Sequence, residues 1–131
     1  MELYEFGIAE AQEGLAKGDF SSVELTQAVI DRYHAENERI GAYLTFDEAG
    51  ALKLAAENPN AVPIAIKDLI NVKGQPCTCA SKILKGYVSP YDATVIANLK
   101  AHGFFPAGRV NMDEFAMGSS TENSGLGVTR N

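Results

Sequence analysis

Two short apolar runs constrain this chain more than any other feature. Val62-Pro63-Ile64-Ala65-Ile66 and Phe104-Phe105-Pro106-Ala107-Gly108 are separated by a helical pattern. Each run has the length of a buried strand. Between them lie a loop with Gly74, Pro76, Gly86 and Pro90, then Asp92 in the place of an N-cap. Val95, Ile96 and Leu99 follow at helical spacing, and Gly103 falls where a C′ glycine belongs. Strand, crossover helix and strand predict a parallel βαβ unit of right-handed sense. The expected fold class is therefore α/β. With 46% apolar and 21% charged residues the 131-residue chain has an ordinary globular balance. No apolar run approaches the roughly 18 residues that suggest a membrane span.

Upstream of the first run the signals are helical. Leu3, Phe6, Ile8, Ala9, Leu15 and Ala16 make a loose amphipathic pattern over 2–17 that stops near Gly18. Ser21-Ser22-Val23-Glu24 fits a capping box, followed by Leu25, Ala28, Val29 and Tyr33 at helical spacing. The pair predicts an antiparallel helical hairpin. Residues 42–46 suit a short extended piece, and 47–57 form an alanine-rich helix ended by Asn58-Pro59-Asn60. The expected organisation is a helical arm over 1–60 followed by an α/β portion over 61–131. After Phe104-Phe105-Pro106-Ala107-Gly108 the chain passes through Arg109 to Phe115, where a short helix is expected, into a polar loop over 118–127. Two short parallel strands do not make a covered sheet, so the chain is expected to be part of something longer.

Charge and cysteines narrow the functions. Eleven Lys and Arg against 17 Asp and Glu leave a net charge of −6, which gives no general attraction for phosphate backbones. Cys77 and Cys79 are two apart, an awkward spacing for a disulfide, and a metal site would need two further ligands. The two histidines, His34 and His102, fall in expected helices far from them in sequence. Reduced thiols are the simpler reading, and no metal is expected. The N-terminus lacks the basic and apolar regions of a signal peptide, so the expected location is cytoplasmic, away from any membrane.

Two places could carry chemistry. Lys67 follows directly on an apolar strand, and ligands in open α/β sheets bind at the carboxyl ends of strands. A lysine in a dry cleft would have its charged form disfavoured and could act as a general base, although lysine at a strand end is more often a solvated residue. Gly118-Ser119-Ser120-Thr121 offers small residues for close backbone approach and three hydroxyls. A helix cap followed by a mobile loop is the competing reading. The sequence has neither a P-loop nor a Gly-x-Ser-x-Gly elbow. Asp113 and Glu114 would diverge on a helix, and the expectation is that they favour its N-terminus through the dipole.

Three stretches carry a family resemblance: residues 61–68, residues 78–84 with 90–95, and the run Asn111-Met112-Asp113-Glu114-Phe115-Ala116-Met117-Gly118-Ser119-Ser120-Thr121-Glu122-Asn123-Ser124. Together they resemble the amidase signature family, and within it the A subunits of glutamyl-tRNA(Gln) amidotransferases, over essentially the whole chain. The resemblance implies the amidase signature fold and a Ser-cisSer-Lys triad in which Lys67 is the lysine. It implies a glutaminase that releases ammonia for transamidation of misacylated Glu-tRNA(Gln) or Asp-tRNA(Asn). Partner B and C subunits are implied, the B subunit holding ATP, magnesium and most of the tRNA, with no cofactor in this chain. The family's two catalytic serines belong to a Gly- and Ser-rich signature absent from these 131 residues, so the chain alone is expected to be inactive. Ser119, Ser120 and Ser124 are not that nucleophile; Gly118, Ser119 and Ser120 are expected at most to line the cleft wall. The chain departs from the family at Ala61 or Val62, where glycine is usual, at Leu69, where asparagine is, and at Arg109, where lysine is. The connection ahead of Val62 is also shorter. A fragment of another signature-family amidase acting on small amides, or a non-enzymatic interaction module, are the alternatives.

Overall fold

The computed structural model describes residues 2–131. Its elements are α1 (Ile8–Lys17), α2 (Ser22–Ile40), β1 (Tyr43–Thr45), α3 (Glu48–Glu57), β2 (Val62–Lys67), α4 (Thr94–Ala101) and β3 (Phe104–Val110), with single 3-10 turns at Leu3–Glu5, Lys82–Leu84 and Glu114–Ala116. This is the α/β architecture that the two apolar runs require.

The longest helix starts where its sequence directs. Ser21 Oγ accepts the Glu24 N–H at 3.1 Å, and the Glu24 carboxylate accepts the Ser21 N–H at 2.8 Å. Those reciprocal bonds satisfy donors that the first turn of any helix leaves orphaned. The Ser21 amide and hydroxyl hold the exposed Glu24 carboxyl below its ordinary value. Asp47 caps α3 with a single bond, accepting the Gly50 N–H at 3.0 Å. α4 departs from expectation: its N-cap is Ala93, with no side-chain cap. Asp92 instead accepts the Lys73 N–H at 2.8 Å and pairs with Lys100 at 2.7 Å. It therefore ties the preceding loop to the body of the helix rather than closing the helix end.

The sheet has the order β1-β3-β2. β2 and β3 are parallel, from Val62 opposite Phe104 to Lys67 opposite Val110, with an irregularity between Ile64 and Ile66. Pro63 carries no N–H and is tolerated because β2 lies at the edge of this sheet. The extended piece at 42–46 turns out to be a third strand, β1, antiparallel to β3. Asn37, near the end of α2, steadies it by bonding both the N–H and the C=O of Tyr43, at 2.8 and 3.0 Å. A side-chain amide thus supplies the pairing that three residues of strand cannot find on their outer edge.

Three apolar clusters hold the layers together. Ala51 and Ala55 of α3 pack with Ala61, Phe105 and Ala107. Ala11 and Leu15 of α1 meet Leu25 of α2 and Val62 of β2. Ile96 of α4 packs with Ile66 and Val72. α1 and α2 converge on the start of β2, and the Ser22 hydroxyl donates to the Ala61 carbonyl at 2.6 Å inside that junction.

Gly108, in the middle of β3, has φ +79°, and a Cβ there would lie 2.7 Å from the Tyr43 ring and 2.8 Å from Phe46. Those rings also pack on Tyr33, with centroids 5.1 to 5.6 Å apart. Gly108→Ala is therefore expected to cost about 1–3 kcal/mol from the backbone conformation alone, with more as the rings move. Chemical denaturation of the full chain checks this, and a loss under about half a kilocalorie would contradict it.

Candidate active site

The two crossover strands end together. Lys67 is opposite Val110, and the next residue, Asp68, donates its N–H to the Val110 carbonyl at 3.1 Å. Lys67 points its side chain to solvent, whereas Asp68 is 1% exposed. The alternation is that of a strand: one residue for the surface, the next for the interior.

Asp68 is held from every side. Arg109 Nε donates to Asp68 Oδ1 at 3.1 Å, and the Arg109 guanidinium also reaches the Ile70 carbonyl at 2.7 Å. The Thr78 N–H donates to Asp68 Oδ2 at 3.1 Å, and the Thr78 hydroxyl donates to the same oxygen. The Cys79 N–H donates to the Asp68 carbonyl at 2.9 Å. A charged pair with both side chains no more than 3% exposed thus joins the ends of β2 and β3 to the loop after β2. One guanidinium nitrogen, Arg109 Nη1, is buried without a partner.

Around this pair the backbone is strained. Cys79, Ala80, Phe115, Ala116 and Thr121 all have φ between +52° and +66°. Non-glycine residues occupy that region at a cost of roughly 1–3 kcal/mol each, and such strain concentrates at functional sites. The two strained segments brace each other: the Phe115 N–H donates to the Cys79 carbonyl, and the Gly125 N–H to the Ala80 carbonyl. The Ser81 hydroxyl adds a 2.6 Å bond to Glu114. Cys77 and Cys79 are both free thiols, and burial pushes both up from the ordinary value. Their environment is that of inert thiols.

The polar loop is built on Asp113. Its Oδ2 accepts the N–H groups of Ser120 and Thr121 at 3.0 Å each, and its Oδ1 accepts that of Asn123 at 2.9 Å. The Asn123 amide first, then those of Thr121 and Ser120 and the nearby Lys67 ammonium, hold this carboxyl below its ordinary value against burial. Asn111 fixes the far side of the loop, accepting from Ser124 and donating to Gly127 and Thr129. These contacts correct two expectations. Asp113 and Glu114 serve no helix dipole, because only one 3-10 turn follows and Phe115 breaks its conformation. The loop is also not a cap with a free tail, since its amides are gathered on one carboxylate.

The 118–121 segment is thus gathered on Asp113, a carboxylate on which the charge of Lys67, the other candidate, also acts. Ser119 and Ser120 are exposed, and Gly118 presses on Asp113 so closely that a Cβ would come within 2.5 Å of Cγ. Asp68, Thr78, Arg109 and the bracing role of Asp113 are not evident from sequence. The one available clue to Arg109 is its place one residue before the end of β3, where it pairs with Ile66. A separate groove of about 530 Å³ runs along α2, lined by Tyr4, Arg32, Tyr33 and Tyr43 among others. It holds none of this constellation. Among the described residues no three His, Cys, Asp or Glu side chains cluster as metal ligands, and no helix is long and apolar enough to cross a membrane.

A basic residue at the carboxyl end of a parallel strand, beside strained turns and a hydroxyl-rich loop, lies where open α/β sheets bind their ligands. The family model described as Amidase matches residues 24–131, and the chain belongs to the amidase signature family. Its relatives include the A subunit of the glutamyl-tRNA(Gln) amidotransferase of Desulfosudis oleivorans, 46% identical over 142 residues, covering 100% of this chain and 29% of that protein. The crystal structure of the corresponding protein from Thermotoga maritima matches with a TM-score of 0.79 at 31% identity, over 100% of this chain and 28% of that one. The structure of 6-aminohexanoate cyclic dimer hydrolase matches with a TM-score of 0.89 at 30% identity, with the same coverage. The chain thus spans less than a third of the length of these proteins.

Proposed function

We propose that this chain is the lysine-bearing portion of the glutaminase subunit of a tRNA-dependent amidotransferase. The observation that carries the reading is the 46% identity, across the whole chain, to the A subunit of a glutamyl-tRNA(Gln) amidotransferase. The exposed Lys67 at the end of β2 supports it. In the proposed mechanism Lys67 is the base, accepting a proton through a bridging serine from a nucleophilic serine. Both serines belong to the larger part of the relatives' length that lies outside the match. The serine oxygen attacks the carboxamide carbon of glutamine, the C–N bond breaks, and ammonia leaves with the relayed proton. Water then releases glutamate from the acyl-enzyme.

Ammonia passes to a partner B subunit, which carries ATP, magnesium and the misacylated tRNA, and a C subunit joins the two. No cofactor is assigned to residues of this chain.

The structural likeness to a cyclic amide hydrolase favours a second reading, a hydrolase of small amides. The two separate on substrate. The full-length protein, carrying both serines as well as these 131 residues and assembled with its partner subunits, is expected to form glutamate from glutamine, with the released ammonia appearing on Glu-tRNA(Gln) or Asp-tRNA(Asn). Hydrolysis of small amides without glutamine turnover would overturn the first reading in favour of the second.

A further inference from the structure

We infer that Asp113 is a positioning residue for this site: one buried carboxylate that shapes the 118–124 loop and presents its charge to Lys67. The inference rests on the proposed role of Lys67 and goes beyond it, by naming what holds the loop and the lysine in one arrangement.

Three observations carry it. Asp113 is 4% exposed, yet both its oxygens are used, and all three of their donors are backbone N–H groups of a single loop. Carboxylates that collect several backbone amides define the path of a loop, because any other path leaves those donors unpaired. The loop has no helix or strand of its own, Asn111 and Thr129 hold only its far side, and Thr121 is kept at φ +66°. Gly118 leaves no room between loop and carboxylate, so the segment cannot move toward Asp113 without collision.

The strand register supplies the link to Lys67. Val110, opposite Lys67, is three residues ahead of Asp113, and the Asp68 N–H bonds the Val110 carbonyl. The Lys67 ammonium is the cation that contributes to holding the Asp113 carboxyl low. The other charged groups nearby are already committed. Asp68 is paired with Arg109, Glu114 accepts from Ser81, and Glu122 accepts from the Ser120 hydroxyl at 2.8 Å. Cys79, whose carbonyl takes the Phe115 N–H, has its thiol pushed up by burial and carries no compensating charge. None of these commitments involves Lys67, whose charge acts on Asp113 through space. A substrate entering at the end of β2 would meet a loop whose backbone is fixed by the same carboxylate on which the Lys67 charge acts.

Two measurements on the full chain test this. In the first, the Asp113 side-chain carboxyl is followed by carbon NMR through an acid titration of the parent and of Lys67→Gln. Coupling between two sites is reciprocal, so loss of the lysine charge should raise the Asp113 midpoint, by about 0.5 pH unit for charges near a surface. This variant alters an exposed side chain and should fold normally. An unchanged midpoint overturns the proposal. In the second, Asp113→Asn is compared with the parent by amide hydrogen exchange and by glutaminase kinetics. Exchange at Ser120, Thr121 and Asn123 should rise about tenfold or more while β3 amides hold, and kcat should fall about tenfold. Parental exchange or parental kcat overturns the proposal. Should the parent not hydrolyse glutamine, the functional reading fails, and the NMR and exchange results still decide the role of Asp113.

Discussion

Lys67→Ala in the full chain is expected to lower glutamine hydrolysis by about 10²–10⁴-fold, the range over which a positioned general base acts. The side chain is exposed at the end of β2 and contributes to no apolar cluster, so stability should change by no more than about 0.5 kcal/mol. That contrast makes the variant informative: activity disappears while the melting transition stays in place. The loss should fall on kcat, because the proton transfer belongs to the transition state rather than to substrate binding. Lys67→Arg should not rescue it, since a guanidinium stays protonated at any working pH and cannot accept the serine proton. Parental kcat in Lys67→Ala would remove the lysine from the mechanism. Loss of activity together with loss of fold would make its role structural.

The largest effect on stability is expected at Arg109. Truncation to alanine strands the Asp68 carboxylate, 1% exposed, with Thr78 as its remaining side-chain partner. Breaking a buried ion pair by removing one member costs about 3–5 kcal/mol. Arg109 also bonds the Ile70 carbonyl, so the turn that leaves β2 loses its tether in the same step. Arg109→Lys keeps the charge and loses the fork that serves Asp68 and Ile70 together. It should fall between parent and alanine. Removing both partners should cost less than the sum of the single losses, because neither charge is then left buried alone. Urea unfolding of the parent, the two Arg109 variants, Asp68→Ala and the double alanine variant measures all of this, and additive losses would show that the pair does not act as a unit.

The features legible in the sequence are those written in local patterns. The βαβ unit follows from two apolar runs of strand length and a helix between them. The start of α2 follows from Ser21 and Glu24, and the end of α3 from Asn58 ahead of Pro59. Lys67 can be placed because a strand end is recognisable without knowing what lies beside it. The rest depends on contacts between distant residues. β1 has three residues, too few for an alternation to show, and exists because Asn37 and β3 complete its pairing. The Asp68 and Arg109 pair spans 41 residues, and neither member announces the other. An acidic residue placed like Asp113 commonly serves a helix end, which misleads here; its partners lie seven to ten residues later, in a loop with no regular structure. Strain at Cys79, Ala80, Phe115, Ala116 and Thr121 leaves no trace in residue type, since none is a glycine or asparagine. Tertiary bonds impose it.

The last described residues have a bearing on how the protein is made. Thr129 donates its hydroxyl to the Gly41 carbonyl, 88 residues earlier, and its N–H to the Thr121 hydroxyl, while the Arg130 N–H bonds the Ile40 carbonyl. A ribosome delivers the helices and β1 long before these partners exist. β1 must wait for β3, and the loop on Asp113 gains its outer clasp only when residue 129 has left the exit tunnel. Contacts so far apart in sequence form late and slowly. A nascent chain paused before this point would carry the lysine and its strand while the loop beside them was still unfastened. Translation speed through this stretch is therefore a variable in the yield of correctly closed sites.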